Sequence, residues 1–566
     1  MFNQSNDNNF DHFTDNSHSF QQPLINDDKG SNNQGSFWDK ILRIKPIDEV
    51  QGRQITANKT GGKVQYKRML QRHHLTMFGI GNTIGAGIFA LTGLGAQYAG
   101  PSLCLSFLLS GMISMATAMV YSELSSRMPS SGSSYHYIYC TFGELPAWVI
   151  GWNMNLRYGI CAAALARAWT SYFVGLMRII GLPLPTWMYS INILGYDGSL
   201  LTVLFVIFCT YIMNLGSKES NMFNYSLTIA KLISLLVIVI AALSYFDAQN
   251  LTPFVLEEKG GFMGTVQGAA LIYMAFLGFD FITTLAEEAK SPQRDMPISI
   301  FSCIIICTVI YCTLSLSLSG VAKLYQLPPD TAMAVAFEVV GNKWMSLIIY
   351  LSGFFGISAC AYTTLMSQPR ILKSYADDGL FFKLFSEMDP FTQVRKKGTI
   401  YICIFVSLIC FFLNLEEISK VISLGNLLSY SIVNISAIVL RQRDPNNTQS
   451  RKENEVFSWA YLISTFMLSL SLTNGWSKYQ TYTYLVMTLI FLMCLLRQMQ
   501  FNEPVDTYRC PLVPLIPCIG ILGNFMLSAQ MDATTWLYLG IFNLLGLSFY
   551  IGYGFRNSYL NNQQTS

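Results

Sequence analysis

Charge is scarce in this sequence. Asp, Glu, Lys and Arg make up 12% of 566 residues, and the net charge is only +3. The basic residues are dispersed, which excludes the footprint that a nucleic-acid partner needs. Histidine is scarcer still: His12, His18, His73, His74 and His136 lie in the tail or near segment ends. The thirteen cysteines include no Cys-x-x-Cys pair, and most sit inside apolar runs, as Cys104, Cys209, Cys303, Cys403 and Cys494 do. They read as small buried hydrophobes, so neither a disulfide framework nor a metal site is expected. A P-loop, a Gly-x-Ser-x-Gly elbow and a His-Glu-x-x-His pair are all missing. The chain is therefore not expected to be an enzyme or to hold a cofactor, and no obligate protein partner is inferred. ATP-driven pumping would need a motor from elsewhere. What is abundant is apolar surface: 52% of residues are hydrophobic and mean hydropathy is +0.37. That composition belongs to an all-α integral membrane protein, with the lipid bilayer as its surroundings.

Residues 1–36 are rich in Asn, Asp, Ser and Gln and read as a disordered cytoplasmic tail. No basic region followed by an apolar core marks a signal peptide. Residues 37–74 form a juxtamembrane segment, basic from Arg53 to Arg72, in which Trp38 to Ile47 has the length of a short surface helix. Fourteen apolar segments follow, near 75–96, 101–126, 144–176, 198–214, 221–246, 264–288, 297–322, 341–372, 399–413, 418–440, 457–474, 482–500, 511–529 and 533–553. The first ten divide into two groups of five, and an odd-numbered repeat must invert its topology. The expected division is a ten-helix inverted-repeat core at 75–440, a cytoplasmic loop at 441–456, four further helices at 457–553 and a cytoplasmic tail at 554–566. Basic residues set the orientation. With the amino terminus inside, Arg127, Lys218, Lys290, Arg294, Arg370, Lys373, Lys383, Arg395, Lys396, Lys397, Arg441, Arg443, Arg451 and Lys452 all face the cytoplasm. Both termini are then cytoplasmic. The sequon at Asn250 falls in an outside loop, but Pro253 after it disfavours glycosylation.

One stretch organises the rest. Gly79, Gly81, Gly85, Gly87, Gly93 and Gly95 crowd the first apolar segment. Each costs about 1 kcal/mol relative to alanine in an ordinary helix. At membrane depth, bare backbone belongs where it is buried in protein or lines a cavity. There it can offer N–H groups to an anion such as a carboxylate. The bland alternative is close helix packing through the small pair Gly81 and Gly85. The sixth segment echoes the first with Ala275-Phe276-Leu277-Gly278-Phe279-Asp280. Interrupted segments at matching positions of two halves point to the central site of a transporter. Asp280 is either a ligand for a cation or a hydrogen-bond hub that pins the break.

In the fifth segment Asn221, Asn224, Thr228 and Lys231 are spaced by 3, 4 and 3 and share one helix face. Lys231 then lies roughly 15 Å along the axis. An ammonium at that depth needs partners in the bundle interior. It is a proton carrier or stands in for a sodium ion; otherwise it is a static charge holding the first and eighth segments by their carbonyls. Glu123 ends the second segment and either pairs with Arg127 or another loop cation or acts directly. Arg157, deep in the third segment, shows no partner in the sequence, whereas Arg167 lies nearer the outer end and can snorkel. Glu287 and Glu288 end the sixth segment as a gate-side charge network or a solvated turn.

These residues resemble the amino acid–polyamine–organocation superfamily, and most closely its cationic amino acid transporter branch. The resemblance is carried in order by Gly81–Phe89, Ala99-Gly100-Pro101, Tyr121-Ser122-Glu123, Pro129–Tyr139, Gly143-Glu144, Gly151-Trp152-Asn153, Ala166–Trp169, Gly216–Ser220, Gly278-Phe279-Asp280, Glu287–Pro297, Arg370-Ile371 with Asp377–Leu380, and Tyr553-Gly554. It covers about residues 68–560. It implies a five-plus-five inverted-repeat transporter fold with broken first and sixth helices and about 14 membrane helices. Substrate would lie between Thr83, Ile84, Gly85, Ala86 and Gly87 on one side and Ala275, Phe276, Gly278, Phe279 and Asp280 on the other. Its α-carboxylate would rest on the Gly85–Gly87 backbone and its amine on carbonyls near Ala275, Phe276 and Gly278, with Phe276 or Phe279 as a thin gate. Lys231 matches the lysine of proton-dependent members. Two departures stand out: Pro369 in the eighth segment, and Arg157, a cation where the pattern has an uncharged residue or an acid. The expected activity is secondary transport of amino acids, arginine and lysine first, with H+ as the coupling ion. The alternatives are a small-neutral amino acid transporter and a non-transporting sensor on the same fold. The membrane is the plasma membrane or the vacuolar or lysosomal one.

Overall fold

The first apolar segment breaks where its glycines are densest. In a computed structural model of the chain, α1 (Arg72–Thr83) stops at Ile84, whose backbone is extended (φ −79°, ψ 95°). After Gly85 a short turn, Ala86–Phe89, leads into α2 (Leu91–Ala99). The structure describes residues 41–47, 49–50, 68, 70–89, 91–193, 196–215, 217–328, 332–387, 389, 395–412, 415–442, 448–498 and 507–562. The expected tail at 1–36 and most of the basic stretch from Arg53 to Arg68 lie outside them.

The first group continues through α3 (Leu103–Arg127), α4 (Ser134–Phe142) and α5 (Glu144–Asn155). A π bulge at Leu156–Ile160 joins α5 to α6 (Cys161–Ile180). A small hairpin, Ile191–Ile193 against Tyr196–Gly198, precedes α7 (Leu200–Leu215) and α8 (Ser217–Ser244). The second group opens on another break. After α9 (Phe262–Ile272) the helix tightens at Tyr273–Phe276, turns extended at Leu277 and resumes past Gly278 as α10 (Phe279–Thr284). Then come α11 (Pro292–Val321), α12 (Lys343–Asp377), α13 (Lys396–Phe412) and α14 (Leu415–Arg441). The chain ends with α15 (Thr448–Thr473), α16 (Lys478–Arg497), α17 (Leu515–Ser528) and α18 (Ala533–Phe549).

Every one of the fourteen apolar segments thus carries helix. Ten helical stretches among the described residues are long and apolar enough to cross a membrane, and α7 and α17 are shorter apolar helices. The chain is an all-α, multi-pass membrane protein. The expected fourteen crossings would require α1–α2, α7, α13 and α17 to cross as well.

Packing follows the two groups. α1 meets α10 and α2 meets α9, so the two broken helices run antiparallel. Three later members pack on their counterparts five segments on: α3 on α11, α6 on α12, and α7 on α13. The closing helices are tied to the core by polar contacts. Trp148 Nε1 donates to Gly546 O and Trp152 Nε1 to Phe542 O, both at 2.8 Å. Glu144 accepts from the hydroxyls of Tyr550 (2.8 Å) and Ser558 (2.6 Å).

Before α1, Lys45 Nζ meets Asp378 Oδ1 at 2.7 Å in a buried ion pair. Tyr135 Oη donates to Asp378 Oδ2 at 3.0 Å, and His136 Nε2 lies 3.5 Å from that oxygen. Burial holds the His136 imidazole below its ordinary 6.5, and Lys45 pushes the same way, while Asp378 and Glu287 oppose it. The folded state then binds fewer protons than the unfolded one once pH falls below 6.5. Its stabilising contribution is present above 6.5 and is lost progressively as pH drops toward the depressed value. His136→Gln should therefore melt with a shallower pH slope than the wild type between pH about 8 and about 5. Parallel melting curves for the two proteins would count against this.

Candidate functional site between the broken helices

A helix that ends inside an apolar bundle leaves its last carbonyls in need of partners. At the end of α1 each finds one. Ile80 O accepts from the Ile84 N–H at 2.9 Å. Lys231 Nζ donates to Ile80 O at 3.2 Å, Gly81 O at 2.8 Å and Ile84 O at 2.5 Å. Asn82 O accepts from Cys360 Sγ at 2.8 Å, and Thr83 O from Tyr311 Oη at 2.8 Å. Lys231 is fully buried, and its ammonium sits at the negative end of the α1 dipole. These three acceptors belong to the first segment, where the static reading expected the eighth to share them. Asn224 and Thr228 line the same face against Gly81: a Cβ there would meet Thr228 Oγ1 at 2.8 Å and Asn224 Oδ1 at 3.1 Å. The side chain of Asn221 lies outside the described residues.

The second break presses on the first. Gly87 lies against Ala275, and Gly85 against Cys360. A Cβ on Gly278 would fall 2.6 Å from Thr83 Cα and 2.7 Å from its nitrogen. Tyr311 Oη, already on Thr83 O, also reaches Ala275 O at 3.0 Å, so one hydroxyl spans both breaks. Backbone atoms cannot swing aside as a side chain can. Gly278→Ala should therefore cost about 1–3 kcal/mol through overpacking. Gly540, with open space around it in α18, provides the control. Melting of the purified variants should separate the two sites; equal melting temperatures would mean that the breaks are slack.

Phe276 packs edge-on against Tyr311 (ring centroids 5.2 Å apart), and Phe279 lies 5.5 Å from both Tyr121 and Tyr430. Both phenylalanines are fully buried. Two residues past Gly278, both oxygens of Asp280 are engaged. Arg157 Nη2 reaches Oδ1 at 3.3 Å and Tyr158 Oη donates to Oδ2 at 2.9 Å. Both donors come from the π bulge, a local widening that recurs at functional sites. Arg157 thus has its partner.

Past α10 the turn that follows is tied to the residues before α1 and to α12. Leu70 N donates to Glu288 O at 3.0 Å and Lys290 N to Leu70 O at 2.9 Å. Arg370 grips Glu288 Oε1 through Nε (3.1 Å) and Nη2 (2.8 Å). Glu287 accepts from Ser131 N at 2.9 Å and lies 3.6 Å from Lys373. Glu123 is engaged elsewhere. Arg441 holds it through Nε (2.9 Å) and Nη2 (2.6 Å), Cys510 N donates to it at 2.9 Å, and Arg127 lies 3.4 Å away. It joins α3 and α14 to the segment before α17.

A family model for amino acid permeases matches residues 70–496, and one for the C-terminus of these permeases matches residues 508–558. The chain belongs to the amino acid permease family. The resemblance to the amino acid–polyamine–organocation superfamily and its cationic branch is borne out. "Cationic amino acid transporter 4, vacuolar" of Arabidopsis thaliana is 30% identical over 92% of this chain and 96% of its own. The "Methylthioribose transporter" of Bacillus subtilis is 30% identical over 92% of this chain and 99% of its own. The "Branched-chain amino acid permease BcaP" of the same bacterium is 31% identical over 77% and 93%. Three substrate classes in these names leave the side-chain preference of the permease to its own residues.

Several residues of the site escape a reading of the permease's sequence. Tyr311 and Tyr158 lie inside membrane segments, and their polar tips signal only that a partner is needed. Thr363 and Thr364 both donate to Asn82 Oδ1, each at 2.9 Å, and nothing in their spacing marks that role.

Proposed function

We propose that the permease is a secondary transporter that carries amino acids across a membrane by alternating access at the facing breaks. The observation that carries this reading is the pair of antiparallel broken helices, whose freed carbonyls are held by side chains from other helices, Lys231 and Tyr311. That leaves the start of the next helical turn to a ligand. The N–H groups of Gly85, Ala86 and Gly87 occupy a position with no intrahelical partner and suit an α-carboxylate. The amine goes to carbonyls near Ala275, Phe276 and Gly278. Phe276 or Phe279 closes over the substrate, Lys231 couples movement to H+, and Glu287 and Glu288 act at the cytoplasmic gate. Both termini are cytoplasmic, and residues 75–440 form the transport core. The membrane is the plasma membrane or the vacuolar or lysosomal one.

Relatives named for cationic amino acids put arginine and lysine first. One observation favours a second reading, small neutral amino acids: Asp280 already holds a cation of the chain itself. The test is uptake of labelled arginine and alanine into proteoliposomes at imposed pH gradients. Uptake driven by inward proton flow is expected. Binding of either without flux would replace the transporter by a sensor on the same fold.

A further inference from the structure

The Arg157–Asp280 pair has a chemical consequence for selectivity. Arg157 is among the largest fully buried side chains, and Asp280 is 3% exposed. The pair is neutral overall and lies directly after the second break. Arg157 also stacks over its neighbour, with its guanidinium carbon 5.0 Å from the Tyr158 ring centroid. Among the described residues its Nε is buried with no hydrogen-bond partner. The hydroxyl of Tyr430, whose ring faces Phe279, is likewise buried and unpartnered. So the acid beside the break is taken, while a guanidinium N–H and a phenol near it lack hydrogen-bond partners among the described residues.

We propose that Arg157 is a specificity-determining residue that excludes cationic side chains by occupying Asp280 in their place. This rests on the amino acid transport reading and takes the second of its two substrate classes. A substrate guanidinium or ammonium brought here would find its counter-ion used and would leave an unbalanced positive charge in a buried site. A neutral side chain carries no such penalty. One with a carbonyl oxygen could in addition accept from Arg157 Nε and meet the Tyr430 hydroxyl.

The experiment compares labelled alanine, glutamine and arginine in proteoliposomes. Wild type should carry alanine and glutamine at least about tenfold faster than arginine, and excess arginine should fail to compete. Arg157→Gln frees Asp280 and should shift the arginine-to-alanine ratio at least about tenfold toward arginine. Arg157→Gln with Asp280→Asn removes the freed acid and should return the ratio to the neutral side, which mere loosening of the fold would not do. Should the variants fail to fold, the wild-type competition decides alone. Arginine carried as fast as alanine by the wild type, or a ratio unmoved in Arg157→Gln, would overturn this inference and leave amino acid transport standing. No flux and no binding of any amino acid would remove the transport reading and the inference with it.

Discussion

Lys231→Met should cut gradient-driven uptake by at least about a hundredfold, and the remainder should ignore the pH gradient. Methionine fills much of the same volume, so the change removes the charge and its three hydrogen bonds more than the packing. In the wild type those bonds hold Ile80 O, Gly81 O and Ile84 O. Each carbonyl left buried without a partner costs about 1–3 kcal/mol. Gly81 O and Ile84 O lose the ammonium, whereas Ile80 O keeps the Ile84 N–H. The end of α1 should therefore loosen, and the melting temperature should fall with the activity. The two effects separate by their response to the gradient. If Lys231 is a static cap, residual uptake in the variant should still rise with inward proton flow. If it couples, the gradient should have no effect whatever the residual rate. Full uptake with no gradient dependence in either protein would make the permease a facilitator and Lys231 structural.

Glu123→Ala should destabilise the protein by about 3–5 kcal/mol, the usual consequence of removing one member of a buried ion pair. Glu123 is 1% exposed, and the change takes from Arg441 the carboxylate that accepts from its Nε and Nη2, beside the Cys510 carbonyl 2.8 Å from Nη2. It also takes the acceptor from Cys510 N. Removing both charges, as Glu123→Gln with Arg441→Met, should restore part of the loss, because the buried Arg441 charge goes with its counter-ion. Melting in detergent, with the double variant compared with each single one, checks this. Additive losses would mean that the pair is not coupled. The effect is expected on stability and on docking of α17, with substrate preference unchanged in the folded fraction.

The apolar runs and their glycines made the architecture legible, because a break at membrane depth needs bare backbone and leaves a compositional trace. The matching glycine and acid at Gly278 and Asp280 were legible for the same reason. Helix ends were harder. α12 runs on to Asp377 and α15 starts at Thr448, beyond the apolar limits near 372 and 457. A helix continues into polar sequence wherever capping and contacts allow, and hydropathy does not register that. The partner of Arg157 was not legible either. It lies 123 positions away across a π bulge that has no periodic signature. The same holds for Glu123 and Arg441, 318 apart. Such pairs are made by tertiary packing, and one sequence shows only that each member needs a partner.

Tyr311 brings a single proton to two acceptors, at 2.8 and 3.0 Å, one on each broken helix. It cannot serve both fully at once. If one half-helix slides past the other, the hydroxyl can follow either carbonyl, trading one bond for the other without first breaking free. A donor shared in this way would lower the energetic ripple along such a sliding motion, where two separate donors would lock each backbone in place.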